Sequence, residues 1–131
     1  MRVIKKYGLS ILFCAIILVL CFISTKPLPK VPISNFDKMV HLIMFLGLSG
    51  VVFFDNTLYL KNRISYWRIV FGSFLFPTLF SGLVELMQEY FPIDRTGDWM
   101  DFLFDAIGSF IGLAICMTIN TWLKKSKAAE K

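Results

Sequence analysis

The polar positions of this chain are separated by long apolar intervals. The first interval runs from Tyr7 to Ser24, the second from about Phe36 to Phe54 with one histidine inside it, the third from about Tyr66 to Phe91, and the fourth from about Trp99 to Leu123. A helix needs about 20 mostly apolar residues to cross a hydrocarbon core of ~30 Å. The pattern therefore predicts an all-α membrane protein with four transmembrane helices in a single domain over residues 1–131. Pro27, Pro29 and Pro32 predict a stiff, extended connection after the first helix. Pro77 predicts a kink in the third, with Ser73 or Thr78 nearby to serve the freed backbone groups. The first interval also invites reading as a signal peptide behind MRVIKK. Its apolar run is longer than such a region needs, and Ser24-Thr25-Lys26-Pro27 stands where a small-x-small cleavage site belongs. A retained membrane helix is the expectation, and the residue before Cys21 gives no lipoprotein signal.

Composition agrees with a bilayer as solvent. Of 131 residues 56% are hydrophobic and 18% charged, mean hydropathy is +0.68, and there are 14 Phe. Too little polar material is left to cover a soluble core of this size. The net charge of +5 is distributed for topology, not for nucleic acid, because the basic residues occupy short segments between apolar runs. Arg2, Lys5 and Lys6, then Lys61, Arg63 and Arg68, then Lys124, Lys125, Lys127 and Lys131 fall on one side if the chain crosses four times. That side is the cytoplasm, with both termini inside. Lys26 and Lys30 on the first outer loop weaken this contrast without reversing it. Cys14, Cys21 and Cys116 all lie in apolar runs and read as small hydrophobes.

The same topology brings the unusual residues to one end. The second helix opens there with Asp37, Lys38 and His41, which share a face at spacings of three and four. The third closes there with Ser81, Glu85 and Gln88, and the fourth opens with Asp98, Asp101 and Asp105 before Gly108 and Gly112. Charge within a bilayer is costly, so Glu85 and Asp105 are expected to face inward with partners, Arg95 first among them and Lys38 or His41 as alternatives. Asp37 and Asp98 also suit helix N-caps. Gly108-x-x-x-Gly112 reads as close helix packing, within the subunit or in a homodimer. The inner half offers only Ser10, Asn120 and hydroxyls at the end of the fourth helix. The single histidine precludes a two-His metal site, so no metal and no cofactor are expected. Oxygen ligands from Asp98, Asp101 and Asp105 are the alternative for a divalent cation.

Asp37-Lys38-x-x-His41-x-x-x-Phe45, then Glu85-x-x-Gln88-x-x-x-Pro92-x-x-Arg95, then Asp98-x-x-Asp101 followed by Gly108-x-x-x-Gly112 resemble, in that order, the motifs of VanZ-like membrane proteins. The resemblance covers Asp37 to Gly112 and departs at Asp105, where the family usually has Asn. It implies a bacterial cytoplasmic-membrane protein of the cell envelope, in a family associated with resistance to teicoplanin-type glycopeptides, and it implies no established catalytic mechanism. The expected partners are membrane lipids or a lipid-linked envelope precursor. Binding or modulation of such a molecule, or of a lipophilic glycopeptide, is the leading expectation, with Arg95 holding an anionic headgroup. An intramembrane enzyme using His41 with Glu85 or Asp101, a small proton-coupled transporter, and a purely structural ion-pair network stand beside it.

Overall fold

The computed structural model describes residues 5–23, 36–60, 65–91 and 98–129. Four apolar helices carry them: α1 (Gly8–Phe22), α2 (Phe36–Leu60), α3 (Tyr66–Tyr90) and α4 (Trp99–Ala129). Helices α2, α3 and α4 are long and apolar enough to cross a membrane, whereas α1 has 15 residues, a length of about 22 Å. Helix α1 nevertheless belongs to the bundle. Its Ile17 and Cys21 join Phe45, Leu48, Val52 and Val84 in the main core cluster, and its Ser10 and Tyr7 segment is hydrogen-bonded to α2.

Helices successive in the chain run antiparallel, which leaves α2 and α4 side by side and parallel. Residues 7–10 meet Asp55 and Asn56 at one end, while Cys21 meets Gln88 and Lys38 meets Asp98 at the other. The basic segments at Lys5–Lys6, Arg68 and Lys124–Lys127 therefore share an end, opposite the acidic cluster. Large apolar side chains such as Leu12, Val19, Ile43, Leu79 and Phe110 point outward, a surface that lipid solvates and water does not.

Helices α2 and α4 make the closest pairing, and glycine is the reason. A Cβ on Gly108 would collide with the Leu42 carbonyl oxygen, and one on Gly112 would stand 2.6 Å from that of Leu46. The Gly108-x-x-x-Gly112 stripe is thus used within the subunit, with the α2 backbone laid into it.

Helix α3 stays continuous through a π-helical turn at Phe71–Leu75 just before Pro77. Proline has no N–H to return to the carbonyl one turn earlier. That carbonyl, on Ser73, accepts the hydroxyl of Ser49 from α2 at 2.5 Å instead. The relief expected from Ser73 or Thr78 comes from a neighbouring helix at this position; Thr78 Oγ1 donates to the Phe74 carbonyl at 2.8 Å.

Two helices outrun their expected ends. Helix α2 continues past Phe54 to Leu60 and carries Asp55 and Asn56 inside it, and α4 continues past Leu123 to Ala129.

Candidate functional site

The first turns of α2 and α4 and the last turns of α3 meet around a set of polar side chains. Lys38 Nζ lies 2.7 Å from Asp98 Oδ2 and 3.1 Å from Asp101 Oδ1. Asp98 Oδ1 accepts the Met100 N–H at 2.9 Å, so the residue both caps α4 and binds Lys38. The Lys38 ammonium, and after it the Met100 N–H, hold the Asp98 carboxyl below the usual carboxylate range.

One turn deeper, His41 Nδ1 stands 3.2 and 3.3 Å from the two Asp105 oxygens. Ser81 Oγ donates to Asp105 Oδ2 at 2.5 Å. His41 and Asp105 are each 1% exposed. Spacing accounts for this placement: Ser81, Glu85 and Gln88 form one stripe on α3, and Asp101 and Asp105 form one on α4. Glu85 Oε2 accepts the Asp98 N–H at 2.9 Å, while its buried Oε1 has no hydrogen-bond partner among the described residues.

The sequence-derived set is therefore largely assembled, with three departures. Gln88 turns the other way and donates to the Cys21 carbonyl at the end of α1 at 3.1 Å, so it fastens α1 to α3. Asp37 is exposed in the first turn of α2, inside the helix and not capping it, with a carboxylate oxygen within 4.8 Å of ligand atoms of His41 and Asp101. Arg95, the expected partner of Glu85, lies outside the described residues.

The expectation of an almost bare inner half is corrected. Asp55 Oδ2 accepts both the Ser10 N–H at 3.0 Å and the Ser10 hydroxyl at 2.7 Å, and the Tyr7 hydroxyl donates to Asn56 Oδ1 at 3.1 Å. Asp55 and Asn56 are buried. After Phe54 the Asp-Asn pair reads as a span end, which hid it. The signal was the spacing of His41, Phe45, Leu48, Val52 and Asp55, alternating four and three residues along one inward face of α2.

A groove of about 720 Å³ opens between α3 and α4. Its wall is apolar, with Leu79, Leu83 and Phe102 among its members, and its polar end holds Glu85, Glu89 and Asp98. From Thr78 to Glu89 the lining runs about 16 Å along α3 at ~1.5 Å per residue, roughly half the thickness of a hydrocarbon core. His41, Asp101 and Asp105 stand behind this wall and do not line it. A second cavity of about 860 Å³ lies between α1 and α3 near the inner cluster, with Arg68 and Asn56 among its lining.

The family model described as VanZ/LLP1 matches residues 3–120. No curated protein and no solved structure matches the chain.

Proposed function

The chain belongs to the VanZ/LLP1 family, and from that premise we propose that it binds an envelope lipid, a lipid-linked precursor or a lipophilic glycopeptide at the outer leaflet of the bacterial cytoplasmic membrane. The observation that carries this reading is that Glu85, from the buried part of the polar cluster, and Asp98, from its half-exposed rim, both also form the polar end of the α3–α4 groove. A groove one leaflet deep, apolar along its length and polar at its end, matches one hydrocarbon chain and the start of its headgroup. Glu85, Glu89 and Asp98 offer carboxylates to sugar hydroxyls or amines of that headgroup. Arg95, in the segment joining α3 to α4, adds a guanidinium for an anionic group. Both termini lie in the cytoplasm in this reading, in keeping with the basic end of the bundle.

Binding is preferred over catalysis because His41 does not reach the groove wall. A general acid or base must come within hydrogen-bond distance of the group it serves, and neither His41 nor Asp101 lines the groove, which leaves Glu85 there without the histidine.

Native mass spectrometry of the purified protein in nanodiscs, comparing wild type with Gly82→Leu and Arg95→Ala, tests the reading. Gly82 lines the groove opposite Phe102, so a leucine side chain there fills the space meant for the tail. A specific lipid retained by wild type and lost in either variant is the expected result. Identical lipid profiles from three equally folded proteins would overturn the lipid-binding reading.

The transporter reading gains one observation. Buried Ser109, Ser49 and Ser73 lie between the two polar clusters, and Ser73 Oγ and Ser109 Oγ have no hydrogen-bond partner among the described residues. Buried polar groups within a membrane mark candidate ion paths, but Phe45, Leu48 and Val52, 0–4% exposed, pack the same core. Proton uptake into sealed vesicles that Glu85→Gln abolishes would favour transport over binding.

A further inference from the structure

The buried cluster is not completed by its own side chains. Glu85 is 8% exposed, and its Oε1 is buried without a hydrogen-bond partner among the described residues. A buried carboxyl oxygen in that condition is met either by its own proton or by a cation. A Glu85 carboxylate oxygen, a ring nitrogen of His41 and a carboxylate oxygen of Asp105 all lie within 4.8 Å of one another, and all three residues are buried. They come from α3, α2 and α4 respectively, so an ion held by them would join three helices at one point.

Charge points the same way. Glu85, Asp98, Asp101 and Asp105 surround this place, while the Lys38 ammonium is already engaged by Asp98 and Asp101. Ligands held ~2.0–2.2 Å from a tetrahedral ion lie roughly 3.3–3.6 Å apart. His41 Nδ1 is already 3.2 and 3.3 Å from the Asp105 oxygens, close to that separation. Ser81 donates to Asp105 Oδ2, which orients the carboxylate as an outer partner orients a metal ligand. Asp37, His41 and Asp101 form an overlapping group. It is the poorer site because Asp37 is exposed and Asp101 is bound by Lys38.

We propose that His41, Glu85 and Asp105 form a binding site for a divalent first-row transition-metal ion. One imidazole with two carboxylates suits Zn²⁺ or Mn²⁺ better than Mg²⁺, which prefers an octahedron of oxygens. Glu85 also lines the α3–α4 groove, so the ion sits at the groove's polar end. The site does not rest on lipid binding, and metal content alone tests it.

The full chain is purified in detergent, its affinity tag removed, and its metal content measured by inductively coupled plasma mass spectrometry. It is then stripped with EDTA and titrated with ZnCl₂ and with MnCl₂ by calorimetry and thermal unfolding. Wild type should bind one equivalent with a rise in Tm. His41→Ala and Glu85→Gln should each weaken binding by at least about tenfold. Asp55→Asn, which alters an equally buried carboxylate in the inner cluster, should bind as wild type does. Should His41→Ala fail to fold, Glu85→Gln carries the comparison, because a glutamine oxygen can still accept the Asp98 N–H. The proposal falls if stripped wild type binds neither ion, if Glu85→Gln leaves affinity unchanged, or if Asp55→Asn weakens it equally.

Discussion

Ser49 and Pro77 are coupled across two helices, because the hydroxyl of one replaces the hydrogen that the other lacks. Ser49→Ala should cost about 1–3 kcal/mol by leaving the Ser73 carbonyl buried and unmet. In a Pro77→Ala background that cost should shrink, since the substituted position then carries an N–H that can take over the carbonyl. Unfolding of the four-member cycle in detergent measures the coupling, and strictly additive costs would refute it. Gly108→Ala should destabilise by about 1–3 kcal/mol through the clash with the Leu42 carbonyl. Gly82→Ala should be near neutral, because its Cβ would stand 3.4 Å from the nearest atom of Phe102. A pH dependence follows from Asp98, whose carboxyl is held low by Lys38 and the Met100 N–H. A group with a lowered folded-state pKa contributes stability above its unfolded value of about 3.9 and loses it as pH falls through the folded value. The Tm difference between wild type and Asp98→Asn should therefore be steady near neutrality and close below about pH 4. A gap that widens on acidification would contradict the assignment. Most of the outer cluster was legible residue by residue, since charge within an apolar run demands a partner and helical spacing says which face it is on. The direction of Gln88 was not, because its acceptor is a backbone carbonyl that sequence does not mark.

At the scale of elements, the docking of α1 depends on one carboxylate. Asp55 receives two donors from Ser10 in a buried setting, and leaving a buried donor unmet costs about 1–3 kcal/mol. Asp55→Ala should loosen α1 from α2 while leaving the α2–α4 pairing in place. Cys21, 1% exposed on α1, reports this. Its labelling by a membrane-permeant maleimide should accelerate roughly tenfold or more if reaction proceeds through local opening, whereas Cys116 on α4 should label as before. Equal acceleration at both cysteines would mean global destabilisation and not release of α1. The helices themselves were legible from apolar run length, and their ends were less so. A polar pair such as Asp55-Asn56 ordinarily marks where a span meets water; here Ser10 and Tyr7 satisfy it inside the bundle, and α2 runs on. The π turn of α3 left no sequence signal beyond Pro77, because its compensation is tertiary.

Over the whole molecule, charge and aromatic residues define how the bundle sits in a bilayer. Trp99 and Trp122 on α4 are 80% and 67% exposed and about 35 Å apart at ~1.5 Å per residue, the separation of the two interfaces that tryptophan favours. Beyond Trp122, Lys124, Lys125 and Lys127 continue α4 as an exposed basic helix, on the same end as Lys5, Lys6 and Arg68. The opposite end carries Asp98 and Asp101 and the polar mouth of the α3–α4 groove. If the basic end is cytoplasmic, a green fluorescent protein joined at the C-terminus should fluoresce, and alkaline phosphatase joined there should be inactive. Phosphatase inserted between Pro92 and Gly97 should be active, and a cysteine placed in that segment should react with a membrane-impermeant reagent from outside. The reverse pattern would put the groove in the inner leaflet, where lipid-linked precursors already displayed on the outer face and external glycopeptides do not meet it. The outer-leaflet ligand would then fall, while the metal site formed by His41, Glu85 and Asp105 would stand, since it depends on the packing of three helices and not on which way they cross.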